Sequence, residues 1–147
     1  MKSLILTATT AIVFFVTPFH QANAFNITIS EQNFHGRAEE FYNSGNYSAA
    51  WAVYDQGVKK NPKSFFCFAM RGVCSAKMGF HNAAIDDYTA SLRFAKDNEE
   101  KGWAHYELAM VYVELNEEQK ALEHIVASAK LGNGLAQMIC KQNNEPY

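Results

Sequence analysis

Neither sign of charge dominates this chain. Its 147 residues carry 13 Lys and Arg against 15 Asp and Glu. The basic footprint of a nucleic-acid binder is therefore missing. Long apolar runs are missing too: beyond the extreme N-terminus, nothing approaches the ~18–20 residues of a membrane-spanning helix. Cysteine is scarce and odd in number, at Cys67, Cys74 and Cys140. Cys67 and Cys74 lie seven residues apart in a helical pattern, about 10 Å along the axis and too far for a disulfide. Free thiols packed as small hydrophobes are expected; an intermolecular bridge is the lesser alternative.

Catalytic patterns are also absent. There is no Gly-x-Ser-x-Gly, no phosphate-binding Gly-rich loop and no Cys-x-x-Cys. The five histidines, His20, His35, His81, His105 and His124, include no pair at the i, i+4 spacing that puts two imidazoles on one helix face. His81 could be drawn with Asp86 and Asp87 as a metal site, but the start of a surface helix explains them more simply. The expectation is of no enzyme, no catalytic residue, no metal and no cofactor.

The N-terminus reads as an export signal. Lys2 supplies the positive end, residues 4–16 form a short apolar stretch, Pro18 breaks it, and Ala22, Asn23 and Ala24 make a small-x-small cleavage site. No Cys follows that site to take a lipid. Cleavage after Ala24 would leave a mature chain of residues 25–147, periplasmic or secreted, with no membrane span.

The mature chain is organised around the stretch 45–62, GNYSAAWAVYDQGVKKNP. Gly45 opens it, Tyr47, Ala50 and Tyr54 recur at helical spacing, and Asn61-Pro62 closes it. The pattern returns 34 residues on, with Gly79, His81, Ala84 and Tyr88. A weaker copy follows after 37 more, from Asn116 with Ala121 and Ile125. Periods of 20–50 residues signify stacked units. Apolar spacing near 3.6 makes each half-unit an amphipathic helix. Ser30, with Ile29 and Phe34 set to staple across it, is expected to cap a first helix reaching about Asn43 on a stripe of Phe34, Ala38 and Phe41. A second helix carries Tyr47 to Val58. Ser64 is expected to cap a third, over residues 65–78. A fourth runs over about 81–95, through Ala84, Ile85, Tyr88 and Leu92. Residues 97–100 read as a solvated connection and helix start. Helices over 103–115 and 118–131 make the third unit, with Asn116 replacing the turn Gly because Asn tolerates the left-handed conformation. Gly132, Asn133 and Gly134 stop it, and a short capping helix covers about 134–142.

These residues resemble the tetratricopeptide repeat (TPR) family: a small residue in the first helix, an aromatic three on, a turn Gly, a Tyr, an Ala, an aromatic four on, and a Pro. The first repeat matches with Ala38, Phe41, Gly45, Tyr47, Ala50, Tyr54 and Pro62. The second matches with Gly72, Gly79, Ala84 and Tyr88, but has Ser75, His81 and Lys96 in place of the other three. The third matches with Ala109, Tyr112 and Ala121. The resemblance implies an all-α superhelix of about three helix-turn-helix units, over residues 31–64, 65–98 and 99–132, plus the capping helix. One such pair cannot bury its apolar face alone; stacked pairs can.

In that family the first helix of each unit lines a concave surface where ligand segments lie. Carried over, this places Gln32, His35, Glu39 and Tyr42 on the inner wall, then Phe66, Ala69, Met70, Val73 and Lys77, then Trp103, Tyr106, Glu107, Met110, Val113 and Glu114. Family members that grip a C-terminal carboxylate use Lys, Asn and Arg where this chain has His35, Glu39, Met70, Trp103 and Glu107. No cationic fork faces a carboxylate there, so that mode is excluded. Phe66, Ala69, Met70, Val73, Trp103, Tyr106, Met110 and Val113 are the expected partner contacts, suited to an apolar helix or peptide. The expected role is an exported protein-interaction module: adaptor, assembly factor or accessory subunit. The alternative is a self-associating structural module of a larger envelope complex, its strip covered by the capping helix or by a second copy in a homodimer.

Overall fold

The computed structural model describes residues 28–147; the expected signal segment and its cleavage site lie outside the described residues. The helices are α1 (Ile29–Asn43), α2 (Tyr47–Lys60), α3 (Phe65–Lys77), α4 (His81–Phe94), α5 (Asn98–Glu114), α6 (Glu118–Lys130) and α7 (Gly134–Asn143). Each packs on the next, and α1, α3 and α5 also touch in sequence along one wall. Among the described residues there is no strand, and no helix is long and apolar enough to cross a membrane.

The same turn closes all three hairpins. Gly45 and Gly79 adopt φ of 78° and 77°, and Asn116 adopts 58°, the left-handed region that a side chain with Cβ normally resists. The next N–H in each turn reaches back across the helix end. Asn46 donates to the carbonyl of Phe41, Phe80 to Ser75 and Glu117 to Tyr112, at 2.8, 2.9 and 2.9 Å. This satisfies carbonyls that a helix end would otherwise strand.

Helices approach closely where a side chain is missing. Within the second hairpin a Cβ on Gly72 would stand 3.0 Å from the Tyr88 ring, and between the first and second hairpins one on Gly57 would stand 2.6 Å from Cys67 Sγ. Buried Ala50, Ala84, Ala121 and Ala38 do the same for their helices. Around them, buried side chains form one large core through α5, while Ala109, Ile125, Ala129, Ala136 and Cys140 form a second at the C-terminal end. That second cluster is where α7 closes the array, as a terminal unit must. All three cysteines are buried and free.

Four local expectations need correction. The cap of α1 is Thr28 rather than Ser30: its side chain accepts from the Glu31 N–H while Glu31 accepts from the Thr28 N–H at 2.7 Å. That reciprocal pair is a stronger start signal than an isolated serine. Phe41 is 40% exposed, and Tyr42 lies in the core in its place; adjacent residues differ by ~100° around a helix, so two neighbouring aromatics leave the stripe ambiguous. The third-unit helix begins at Asn98, capped by Asp97, so residues 98–100 are its first turn. Glu100 there is buried and accepts the Lys96 N–H at 2.6 Å, so it is not part of a solvated loop.

The cap position of α4 is held by Phe80, whose ring is 60% exposed and which supplies no side-chain cap. At the matching place in the first repeat, Asn46 accepts from the Ala49 N–H. Phe80→Asn is expected to stabilise the chain by about 1 kcal/mol through the restored cap. An upward shift of the urea midpoint at unchanged slope would show it; a lower midpoint would mean the exposed ring packs against something in solution.

Candidate partner-binding face

The inner wall is built by α1, α3 and α5, and its chemistry changes along its length. Five of the eight expected partner contacts are buried, four on α3 and one at the start of α5. Phe66, Ala69, Met70 and Val73 are 2%, 0%, 1% and 3% exposed, and Trp103 is 3% exposed. Phe66 meets His35 and Tyr54 edge-on, with centroids 5.5 and 6.0 Å apart. Trp103 meets Phe65 and Tyr88 edge-on at 6.2 and 5.9 Å. The expectation that these five stand open on the wall is therefore not met. They join the core because large apolar groups on closely stacked helices find one another.

The other three nominated contacts are partly exposed: Tyr106, Met110 and Val113, all on α5. Tyr106 and Met110, with Ile139, pack against the C-terminal cluster that includes Ala136 and Cys140. The capping helix thus covers part of the third-repeat strip. Glu107, half-buried, and Glu114, exposed, share this helix, and exposed Lys77 closes the strip from α3.

Glu107 is the electrostatic centre of the wall. Burial pushes its carboxyl up to about 7. The Lys77 charge and a hydrogen bond donated by the Tyr88 hydroxyl oppose that rise, and Glu114 adds to it. Its charge also reaches Tyr42 from α1 and Tyr106 on its own helix. His35 sits at the far end with Nδ1 3.1 Å from the Tyr54 hydroxyl, and burial holds its pKa below the usual histidine range. At neutral pH His35 is therefore uncharged, and the wall offers no Arg to grip a terminal carboxylate.

On the opposite side, toward α2 and α4, a side-chain cluster was invisible to sequence reasoning. Arg71 forks onto Asp87, with Nε 3.0 Å from Oδ2 and Nη2 2.6 Å from Oδ1, while Nη1 reaches Asp55 at 2.6 Å. Its guanidinium lies over Trp51 and Phe68, 5.6 and 5.4 Å from their ring centres. One arginine thereby ties α2, α3 and α4. His105 and His124 also meet, Nδ1 to Nδ1 at 2.9 Å, with His124 stacked on Tyr112. A usable signal existed. His105–His124 and His35–Tyr54 are both 19 residues apart, and Arg71 is 16 from each aspartate. Those offsets are the fixed spacings between neighbouring helices of the array.

The fold this arrangement defines is the TPR-type superhelix: hairpins with glycine or asparagine turns, small residues at the helix crossings, and the first helices lining one wall. Solved TPR structures superpose on it over most of its length. The Yersinia enterocolitica type III secretion chaperone SycD, in complex with a peptide of the translocator YopD, matches with TM-score 0.69 and 16% identity over 80% of this chain and 92% of that one. The TPR2B domain of yeast Sti1, in a complex with an Hsp70 peptide, matches with TM-score 0.68 and 17% identity over 78% and 93%. The second TPR domain of human RPAP3, in complex with an HSP70 peptide, matches with TM-score 0.65 and 18% identity over 87% and 99%. By sequence, 77 residues are 32% identical to a tetratricopeptide repeat and J domain-containing co-chaperone of Cryptococcus neoformans, spanning 52% of this chain and 14% of that protein. No protein-family model matches the chain.

Proposed function

We propose that the mature chain is an exported TPR module that binds a polypeptide segment on the inner wall of α5, as an adaptor, assembly factor or accessory subunit rather than as an enzyme. The observation that carries this reading is the partly exposed strip of Tyr106, Met110 and Val113, with Glu107 beside it, on the wall of a fold whose solved neighbours include peptide complexes. Apolar side chains held on a rigid helix, with a polar group to set orientation, suit a docking surface. Export rests on the leader pattern of residues 1–24, and the periplasm or the exterior is the proposed destination.

The informative variants are on α5. Trp103→Ala and Met70→Glu would attack the core, so loss of binding in either would report unfolding. Val113 is partly exposed and lies outside both core clusters. A random peptide library displayed against residues 25–147 should yield binders. Val113→Glu should weaken them about ten-fold or more, roughly 1.4 kcal/mol, while helicity and the urea midpoint stay unchanged. Binders indifferent to Val113→Glu, or a tight dimer in sedimentation that buries Val113, would overturn the assignment.

A further inference from the structure

His105 on α5 and His124 on α6 meet across the middle of the third hairpin. Their Nδ1 atoms stand 2.9 Å apart and their ring centres 5.1 Å apart. That is nearly the nitrogen separation plus both ring radii, so the rings meet head to head, each Nδ1 aimed at the other. Such a contact needs one proton between two nitrogens. A neutral imidazole donates or accepts at Nδ1, whereas a cationic one can only donate. The pair is therefore intact with both rings neutral, or with one of them charged. With both charged, two N–H groups point at each other and two cations stand in contact.

The hairpin leaves the pair little room to slide apart. On one side of it buried Ser128 donates to the Gly102 carbonyl at 2.6 Å. On the other, the turn at Asn116 is closed by the Glu117 N–H on the Tyr112 carbonyl at 2.9 Å. His124 is stacked on Tyr112, with centroids 5.4 Å apart. Its neighbour Ile125 belongs, with Ala129, to the cluster that seats α7. From this we propose that the pair is an acid-operated latch: it holds α6, and α7 with it, against α5 until both imidazoles are protonated, and then releases them. The latch stands whether or not α5 binds a peptide.

Burial holds both imidazoles below the usual histidine range; His124 lowers His105 further, while Glu123 pulls His124 the other way. A histidine depressed in the folded state gives stability that is present above its unfolded value, about 6.5, and lost as pH falls. Lys120, 5.1 Å over the Tyr112 ring, adds a further positive charge close by. Among the described residues, neither ring feels a charge from α3, α4 or α7. Glu100 and Glu107, also on α5, are pushed up by burial. Raised carboxyls steady the fold as pH falls, so these two act with the opposite sign and cannot imitate the latch.

Ring NMR of residues 25–147 follows the two imidazoles from pH 8 to pH 5, and amide exchange, with its intrinsic rate divided out, follows α6 and α7. One histidine should gain its proton roughly one pH unit or more above the other. Relative to α2 and α3, protection of α6 and α7 should fall about ten-fold or more between pH 7 and pH 5.5, as linkage of opening to a proton requires. His124→Asn keeps at the same place a neutral amide that can donate to His105 Nδ1 or accept from it. Its protection is expected to be lower throughout for want of the stacking on Tyr112, but its pH step should shrink to about two-fold or less. An undiminished step in His124→Asn would overturn the latch. So would two imidazoles that both become cationic near about 6.5 with α6 still protected, or protection of the unmodified chain that stays flat to pH 5.5.

Discussion

Tyr88→Ala is expected to cost about 3–5 kcal/mol of stability, as truncation of a fully buried aromatic does. The ring is 1% exposed. It lies against the bare face of Gly72 on one side and meets Trp103 edge-on at 5.9 Å on the other. It is thus the plug between the second and third repeats, and its loss opens a cavity that neither neighbour can fill without moving a helix. Two companions make the argument specific. Gly72→Ala places a Cβ 3.0 Å from the ring and should cost about 1–3 kcal/mol by overpacking. Tyr88→Phe keeps the ring and loses the hydroxyl that donates to Glu107, so it should cost only about 1 kcal/mol. It should also raise the Glu107 carboxyl further, because that hydrogen bond holds it down. Urea unfolding of the three variants checks the order, and a Tyr88→Phe as damaging as Tyr88→Ala would contradict it.

Arg71→Met should be nearly as damaging, at about 3 kcal/mol, near the lower end of what breaking a buried pair costs. The lower end applies because the arginine side chain retains 18% exposure. The variant strands Asp87, whose side chain is 8% exposed, whereas Asp55 keeps Lys59 at 2.7 Å. Burial already pushes the Asp87 carboxyl up, and Arg71 holds it down. Without the arginine the folded-state pKa rises further above the unfolded value. A raised carboxyl contributes stability at low pH that is lost as pH rises through the folded pKa. The deficit of Arg71→Met should therefore be largest at neutral pH and shrink in acid. Adding Asp87→Asn should recover much of it. A deficit independent of pH would mean that lost stacking on Trp51 and Phe68, not the stranded charge, dominates.

The repeat itself was legible because its strongest marks are backbone requirements. Gly45, Gly79 and Asn116 sit where the chain must turn left-handed, and Gly72, Ala50 and Ala84 where helices must touch; few residue types satisfy either. Caps were legible where a hydroxyl or carboxamide had a single reading, as at Ser64, whose side chain accepts from the Cys67 N–H at 3.0 Å. Thr28 was missed although Glu31 stands three residues on, because Ser30 competed for the same role.

The inner wall was less legible. Periodicity places Phe66, Met70 and Trp103 on the face of the first helices, but not how deeply neighbouring helices enclose that face. Exposure there depends on helix spacing, which the pattern of one helix does not contain. The Arg71 cluster and the His105–His124 contact were hidden for a related reason: they join residues 16 and 19 apart, and only the stacked geometry makes those offsets neighbours.

The central claim is that the inner wall of α5 receives a polypeptide. Amide chemical-shift mapping of residues 25–147 with a peptide selected from the displayed library tests it directly. The account predicts shifts concentrated on Tyr106, Glu107, Met110, Val113, Glu114 and Lys77, with Phe80 and Met138 unmoved. Shifts centred on Phe80 at the hairpin edge, or on the outer face of α7, would contradict it.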